Sequence, residues 1–301
     1  RWTSTITYDG NTHGSGTVPS STTAVSSATV TNLAHNSGSL AKSGFTFVGW
    51  NTLANGAGTS YPASNPPLLT ETPYMHFDAD NFNDSTNAWT DLAATPRNIS
   101  GTTLTSSAGN IRGNPTKVTN TAGANGSSKE FPAVVGTTAD GIMIGNGALT
   151  NFTFCHVARY AGATKQRIFT HPTVNWLSGY LLSQSGYYYG VGNNGTVGLQ
   201  SGDTNWHLIC DYNLNFRNNG TAGAATGRTS LPANIGVATW STQTSDWEIA
   251  EVLFYDVALG LTQIQQIEAS LASTYGLSGY TSTNGTYAST GDITLYAQWN
   301  S

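Results

Sequence analysis

The patterned stretches of this chain are short runs set between Gly, Asn and Asp turns, and several of them alternate apolar and polar residues with a period of two. Runs this short can bury a face only as β-strands. They fall at 3–8 (TSTITY), 28–33, 44–50 (GFTFVGW), 141–144, 152–158, 167–170, 187–191, 207–212, 234–237, 247–255 and 292–299. In 44–50 strict alternation sends Phe45, Phe47 and Gly49 one way and Thr46, Val48 and Trp50 the other. The segment 95–128, rich in Gly, Ser and Thr, shows no period and reads as a polar connection. One stretch departs from the pattern. In 262–275 (TQIQQIEASLASTY), Ile264, Ile267, Leu271 and Tyr275 follow three-to-four spacing, which predicts a helix. Thr262 with Gln265 reads as its capping box and Gly276 as its stop. The expected fold class is all-β with one C-terminal helix.

Composition narrows the function classes. Charged residues are 9% of the 301, against roughly 25% in ordinary soluble proteins. Apolar residues still reach 38%, with 8 Trp, 14 Tyr and 10 Phe, so a sizeable core is available and disorder is excluded. The length suits two domains. A surface of hydroxyls and amides is common among secreted and surface-displayed proteins. The net charge of -5 and the lack of any Lys/Arg cluster argue against nucleic acid as a partner. No apolar run reaches about 18 residues, so no membrane insertion is expected. The chain opens on Arg1-Trp2-Thr3 without a methionine, which reads as a processed chain or an excised fragment.

Two sets of residues carry family resemblances. TITYDGN (5–11), GFTFVGWNTLANGAGTSYPAS (44–64) and GDITLYAQW (291–299) together resemble the Listeria–Bacteroides repeat, also called the internalin B-repeat. The resemblance implies a small β-grasp-like module, usually found in tandem in bacterial surface proteins. Here more than 200 residues separate GTSY from the closing strand, which implies an insertion. The insertion resembles the laminin-G/concanavalin A-like lectin–glucanase superfamily through FTFCHVARY (152–160), WHLICDYN (206–213), FRNNGT (216–221) and the run 247–277. That resemblance implies a jelly-roll sandwich and says little about ligand. The pairing of ARYAGATKQRIF with this ending is also similar to domains in large surface proteins of algal DNA viruses. The expected organisation is a β-grasp-like repeat over 1–68, a concanavalin A/laminin-G-like sandwich over 69–278 and a closing repeat strand over 279–301.

The resemblances imply an extracellular protein of a cell or virion surface. It would adhere through glycan or protein recognition by the sandwich, with the repeat as stalk. Two alternatives stay open: a self-assembling subunit of a surface fibre or coat, whose copies pair edge to edge, and a cell-wall polysaccharide hydrolase or lyase. A binding role is favoured because no active site is assembled in the sequence. There is no G-x-S-x-G elbow and no phosphate-cradling loop.

Exposed aromatics and amides are the leading binding candidates: Trp176, Tyr187, Tyr189, Asn193 and Asn194, in NWLSGY and GYYYGVGNNG. Sugar rings stack on aromatic faces, and alternation places Tyr187 and Tyr189 on one face with Tyr188 on the other. Asp246, Glu248 and Glu251 in SDWEIAEV match the spacing of a retaining glucanase. Glu251 would point away from the other two unless a bulge intervenes. Tyr187, Tyr189, His171, Arg167 and Gln184 could supply a lyase set. His156 and His207 read as hydrogen-bonded sandwich histidines rather than ligands. Asp78, Asp80 and Asp84 form an oxygen-rich loop that could hold calcium, although it fails the EF-hand pattern and reads equally as turn-forming Asx residues. Cys155 and Cys210 read first as small buried hydrophobes, with a disulfide between neighbouring strands as the alternative. Of the seven Asn-x-Ser/Thr sequons (Asn83, Asn98, Asn125, Asn151, Asn194, Asn219 and Asn284), those in Gly turns are glycan-carrier candidates: Asn125, Asn194, Asn219 and Asn284.

Overall fold

A computed structural model describes residues 3–25, 30–32, 36, 38–58, 60–62, 72–95, 99–100, 110–145, 147–190, 193–212, 215–223, 231–239, 242–280, 286–288 and 292–300. The chain forms two compact units, Arg1–Leu68 with Ser282–Ser301, and Leu69–Thr281. Both are β-built, and the described residues contain one α-helix, Leu261–Tyr275.

The smaller unit is a five-stranded sheet in the order Thr22–Val25, Thr3–Asp9, Ile293–Asn300, Thr46–Asn51, Ser60–Pro62. The first and last long strands run parallel at its centre, Ile6 opposite Ile293 and Tyr8 opposite Leu295. Alternation puts Ile6, Tyr8, Leu295 and Ala297 on one face, where they pack with Leu40 and Trp50. The strand 46–51 corrects the strict alternation expected for GFTFVGW. Gln298 pairs with Gly49 and Trp299 with Phe47, so Val48 is an extra residue in the ladder. The bulge leaves Val48 exposed and turns both Phe47 and Trp50 to the core, their rings 5.2 Å apart. Gly49 takes φ 136° there, a value that favours glycine. The run expected at 28–33 is seen as Val30–Asn32, paired with Thr286–Ala288; residues 28, 29 and 33 lie outside the described residues. Among the described residues no helix packs across this sheet.

The larger unit is a jelly-roll-type sandwich of two mostly antiparallel sheets. One has seven strands: Asn110–Arg112, Gly141–Met143, Gly236–Val237, Phe169–Thr170, Leu177–Leu181, Gln184–Gly190 and Asn193–Ser201. The other follows the order Thr116–Asn120, Phe131–Gly136, Trp247–Tyr255, Thr153–Tyr160, His207–Tyr212, Asn215–Asn218, Thr221–Ala222, with Met75–Asp78 also pairing Trp247–Tyr255. Their facing sides enclose one aromatic core that includes Phe77, Phe154, Phe169, Trp176, Phe216, Trp247 and Phe254. The stretch 95–128 is not a structureless connection. It supplies Ile99–Ser100, Asn110–Arg112 and Thr116–Asn120, strands too short or too polar to show a period.

The helix covers the outer face of the second sheet. Ile264, Ile267, Leu271 and Tyr275 pack on Ala133, Val157, Leu208 and Leu253; each such side chain contributes about 1.5–3 kcal/mol on burial. Its start differs from the expected Thr262 cap. Gly260 is the N-cap and its N–H donates to Gln263 Oε1 at 3.0 Å, whereas Gly276 ends the helix at φ 60° as expected. Cys155 and Cys210 sit directly opposite each other on adjacent strands under the helix, and are bonded.

Candidate functional site

The residue types singled out from sequence reach very different places. Trp176 is a correction: it is 1% exposed and belongs to the aromatic core, so it offers no surface to a ligand. Tyr187 and Tyr189 are half-buried on the outer face of the seven-stranded sheet, while Tyr188 turns inward against Phe216. Asn193 and Asn194 lie on the edge strand Asn193–Ser201; their side chains are outside the described residues.

The carboxylates of the glucanase pattern are consumed by the fold. Val157 pairs with Glu251 and Ala158 with Ile249, so Ala250 is a bulge. It turns Glu251 to the same side as Glu248, the helix-covered side. Glu248 Oε2 accepts from Arg159 Nε at 2.7 Å. Glu251 accepts from the Tyr275 hydroxyl at 2.6 Å and lies 2.9 Å from His76 Nε2. Burial pulls His76 down, but the Glu251 hydrogen bond and charge outweigh it and raise its pKa. Burial, then Glu251, pushes the Tyr275 hydroxyl up. Asp246 accepts from the amides of Thr138 and Thr164 and anchors two turns.

The lyase set is not assembled either. His171 Nδ1 accepts from the Thr173 and Val174 amides, which spends it on a turn. Arg167 is 6% exposed, and burial lowers its pKa. The calcium loop is corrected likewise. Asp78 Oδ1 caps the 3-10 turn Ala79–Asn81, accepting from Asn81 N and Nδ2 at 3.0 and 2.6 Å. Asp80 and Asp84 are exposed and share a surface hollow with Lys117, whose ammonium donates to the Asp80 carbonyl. Among the described residues no group of three acids, histidines or cysteines could hold a metal.

The residues that do converge were not singled out as binding groups. A hollow of about 260 Å³ opens at the sandwich edge, lined by Gln200, Asp203, Asn205, His207, Asn219 and Thr221 among others. Several segments build it, those of Gly126, Ser278 and Gly279 among them. The strand Asn193–Ser201 brings Gln200, the loop after it brings Asp203 and Asn205, and an Asn219-Gly220 hairpin turn brings Asn219 between two paired strands. Both turn residues have positive φ, 47° and 80°, the geometry of a type I′ hairpin that Asn-Gly favours. The hairpin residue before that turn, Asn218, donates across to Val197 O and Gly198 O and ties the two sheet edges together. Gly198, at φ 55°, allows the irregular backbone that meets it.

At the floor lies His207, 2% exposed. Asn219 Oδ1 accepts from Leu208 N at 2.8 Å, which orients its Nδ2 toward His207 Nδ1 at 3.1 Å. His207 Nδ1 also lies 3.2 Å from Asn218 Oδ1, and Nε2 lies 3.1 Å from Asp203 Oδ2 and 3.1 Å from Ser185 Oγ, so both ring nitrogens are held by protein groups. The His207 hydrogen bond holds the Asp203 carboxyl below the usual carboxylate range, outweighing partial burial, and the Asn205 amide adds to it. Asn219 keeps one N–H and one lone pair unspent, and Asp203 keeps lone-pair capacity. Gln200 and Thr221 are exposed and their side chains make no hydrogen bond among the described residues.

Of the glycan-carrier candidates, Asn219 has its amide nitrogen 3.1 Å from His207 Nδ1. Asn125 is half-buried, with Nδ2 donating to Asn120 Oδ1 at 3.2 Å. The Asn194 side chain and all of Asn284 lie outside the described residues.

Solved structures with similar folds include Trypanosoma rangeli sialidase, 10% identical with a TM-score of 0.41 over 72% of this chain and 34% of that one. The binding domain of botulinum neurotoxin serotype G is 10% identical, TM-score 0.43, over 67% of this chain and 52% of that one. Domain 4 of AbnA, a GH43 extracellular arabinanase from Geobacillus stearothermophilus solved with arabinotriose, is 16% identical, TM-score 0.39, over 66% of this chain and 99% of that one. The chain thus spans about a third of the sialidase and half of the toxin binding domain. No curated protein matches it. Residues 5–72 match the family model of the Listeria-Bacteroides repeat domain.

Proposed function

We propose that the larger unit is a glycan-recognition module and that its binding site is the hollow around Asp203, His207 and Asn219. One observation carries this reading: a concave site where a carboxylate, carboxamides and a hydroxyl converge with unspent donors and acceptors. Sugar hydroxyls each donate and accept, so a mixed set of fixed partners suits them. Catalysis is not favoured, since the acids of the glucanase pattern are committed to protein partners. The half-buried Tyr187 and Tyr189 are a second, stacking surface on the same sheet.

The Cys155–Cys210 bond supports an oxidising, extracellular compartment. The repeat match over residues 5–72 supports display at a surface, with the smaller unit as stalk. A panel of immobilised glycans probed with the full chain tests the reading. Binding by the wild type that falls at least tenfold in Asn219→Ala is the expected result. Retention of all binding in that variant, or no binding to any glycan, would reject it.

A further inference from the structure

We infer that the edge hollow takes a single neutral pyranose and rejects acidic sugars, an inference that rests on the glycan reading above. The volume sets the size. About 260 Å³ falls just below the range of roughly 300–1,000 Å³ typical of drug-sized sites, so one ring fits and a longer chain must extend outward.

The charges set the sign. Among the described residues, Asp203 is the one carboxylate lining the hollow and no Lys or Arg lines it. His207 Nε2 faces Asp203 rather than the opening, and its Nδ1 is met by Asn219 Nδ2 and Asn218 Oδ1. Two cations do touch the loop that carries Asp203, but both are turned elsewhere. Lys165 Nζ donates to the Gly202 carbonyl, and Arg159 divides its donors between Glu248, Tyr160 O and Thr204 O.

Backbone groups add to the same sign. Ser278 and Gly279 line the hollow just beyond the helix end at Tyr275, where the macrodipole is negative. The Ser278 amide is spent on Gly126 O, and the Asn205 amide on Asp203. A sialate, uronate or sulfated ring would thus bring its anion to the Asp203 carboxylate, whose partner His207 is buried behind it, without the Arg fork or amide cluster that anion recognition uses. A neutral ring can instead donate two hydroxyls to Asp203 and one to Asn219 or Gln200 while accepting from the Asn219 amide.

The test uses matched pairs: methyl β-D-glucopyranoside against its uronide, and methyl β-D-galactopyranoside against its uronide, titrated into the full chain and read by saturation-transfer NMR. The expected result is binding of at least one neutral glycoside, with its uronide at least tenfold weaker and the gap narrowed in Asp203→Asn. A uronide that binds the wild type as tightly as its neutral partner overturns the charge selection and leaves the glycan reading standing. Binding of none of the four overturns both. The wild-type pairs decide the question even if the variant fails to fold.

Discussion

The helix-covered face of the eight-stranded sheet and the open sandwich edge carry the same kinds of polar residue, used in opposite ways. On the helix side of that sheet the described charges are answered by other side chains: Arg159 by Glu248, His76 and Tyr275 by Glu251, Arg217 by Glu268. At the edge, Asp203 and Asn219 are each held by protein partners on one side and left with capacity on the other. A helix that must dock on a sheet removes water from everything beneath it, so polar groups there survive only if paired. An edge where hairpin turns meet keeps its water, so polar groups there can serve a ligand.

The largest expected effect lies on the closed side. Arg217 and Glu268 are 3% and 0% exposed at their side chains, bonded at 2.8 Å, and Glu268 Oε2 is buried without a partner. Arg217→Met leaves that carboxylate alone in the interior, which costs about 3–5 kcal/mol. Denaturant unfolding of the variant measures it. A loss under about 1 kcal/mol would mean that water reaches the pair and that this face is not closed.

Reduction of Cys155–Cys210 ranks next. The bond closes a segment of 55 residues and lies beneath the helix. Its loss is expected to lower stability by about 2–4 kcal/mol, chiefly by loosening the unfolded chain's constraint. Thermal melts with and without reductant give the number. Because the bond is buried, reduction of the folded protein should lag far behind that of the unfolded chain.

Sequence patterns expose these two regions unequally. Short apolar runs locate the strands 207–212 and 247–255 at their observed ends, both buried on both faces, and three-to-four spacing finds the helix, which buries one continuous face. Bulges are less visible. Val48 and Ala250 each shift one rung, and that shift decides which way Trp50 and Glu251 point. Trp176 misleads for a related reason: an indole beside Asn and Gly looks like a turn residue, yet it lies just before a strand and enters the core. The hollow is least visible. Gln200, Asp203 and Asn219 meet where the edges of the two sheets approach, and the local trace they leave is the Asn219-Gly220 hairpin signal.

A third prediction concerns the core that both regions share. His156 is fully buried between Phe154 and Phe169, with Nδ1 unpartnered, and burial, helped by His207, holds its pKa well below 6.5. The unfolded chain takes up a proton near that ordinary value while the folded chain does not. Stability from this group is therefore intact above about pH 6.5 and falls by about 1.4 kcal/mol per pH unit below it, until the folded pKa is reached. His76 works in the other sense: its raised pKa adds stability at low pH that is lost as pH rises. The difference between wild type and His156→Phe isolates the first effect. Equal pH slopes in the two proteins would show that His156 is hydrated, not sealed.

The smallest expected change in stability separates the two regions most directly. Gly279 is exposed, and a Cβ placed there would lie 2.9 Å from Asn219 Nδ2, the far end of a side chain rather than backbone. In Gly279→Ala the carboxamide must shift by a few tenths of an ångström, at a cost of about 0.5 kcal/mol or less, as for other surface substitutions. The same shift moves the group that bridges Leu208 N, His207 Nδ1 and the hollow. Affinity for a neutral glycoside is then expected to fall about three- to tenfold with the melting temperature almost unchanged, since a misplaced partner forfeits most of a hydrogen bond. Titration and a thermal melt on one sample give both numbers. If stability and affinity instead fall together, Asn219 is a structural strut like Glu251, and the edge belongs with the closed face after all.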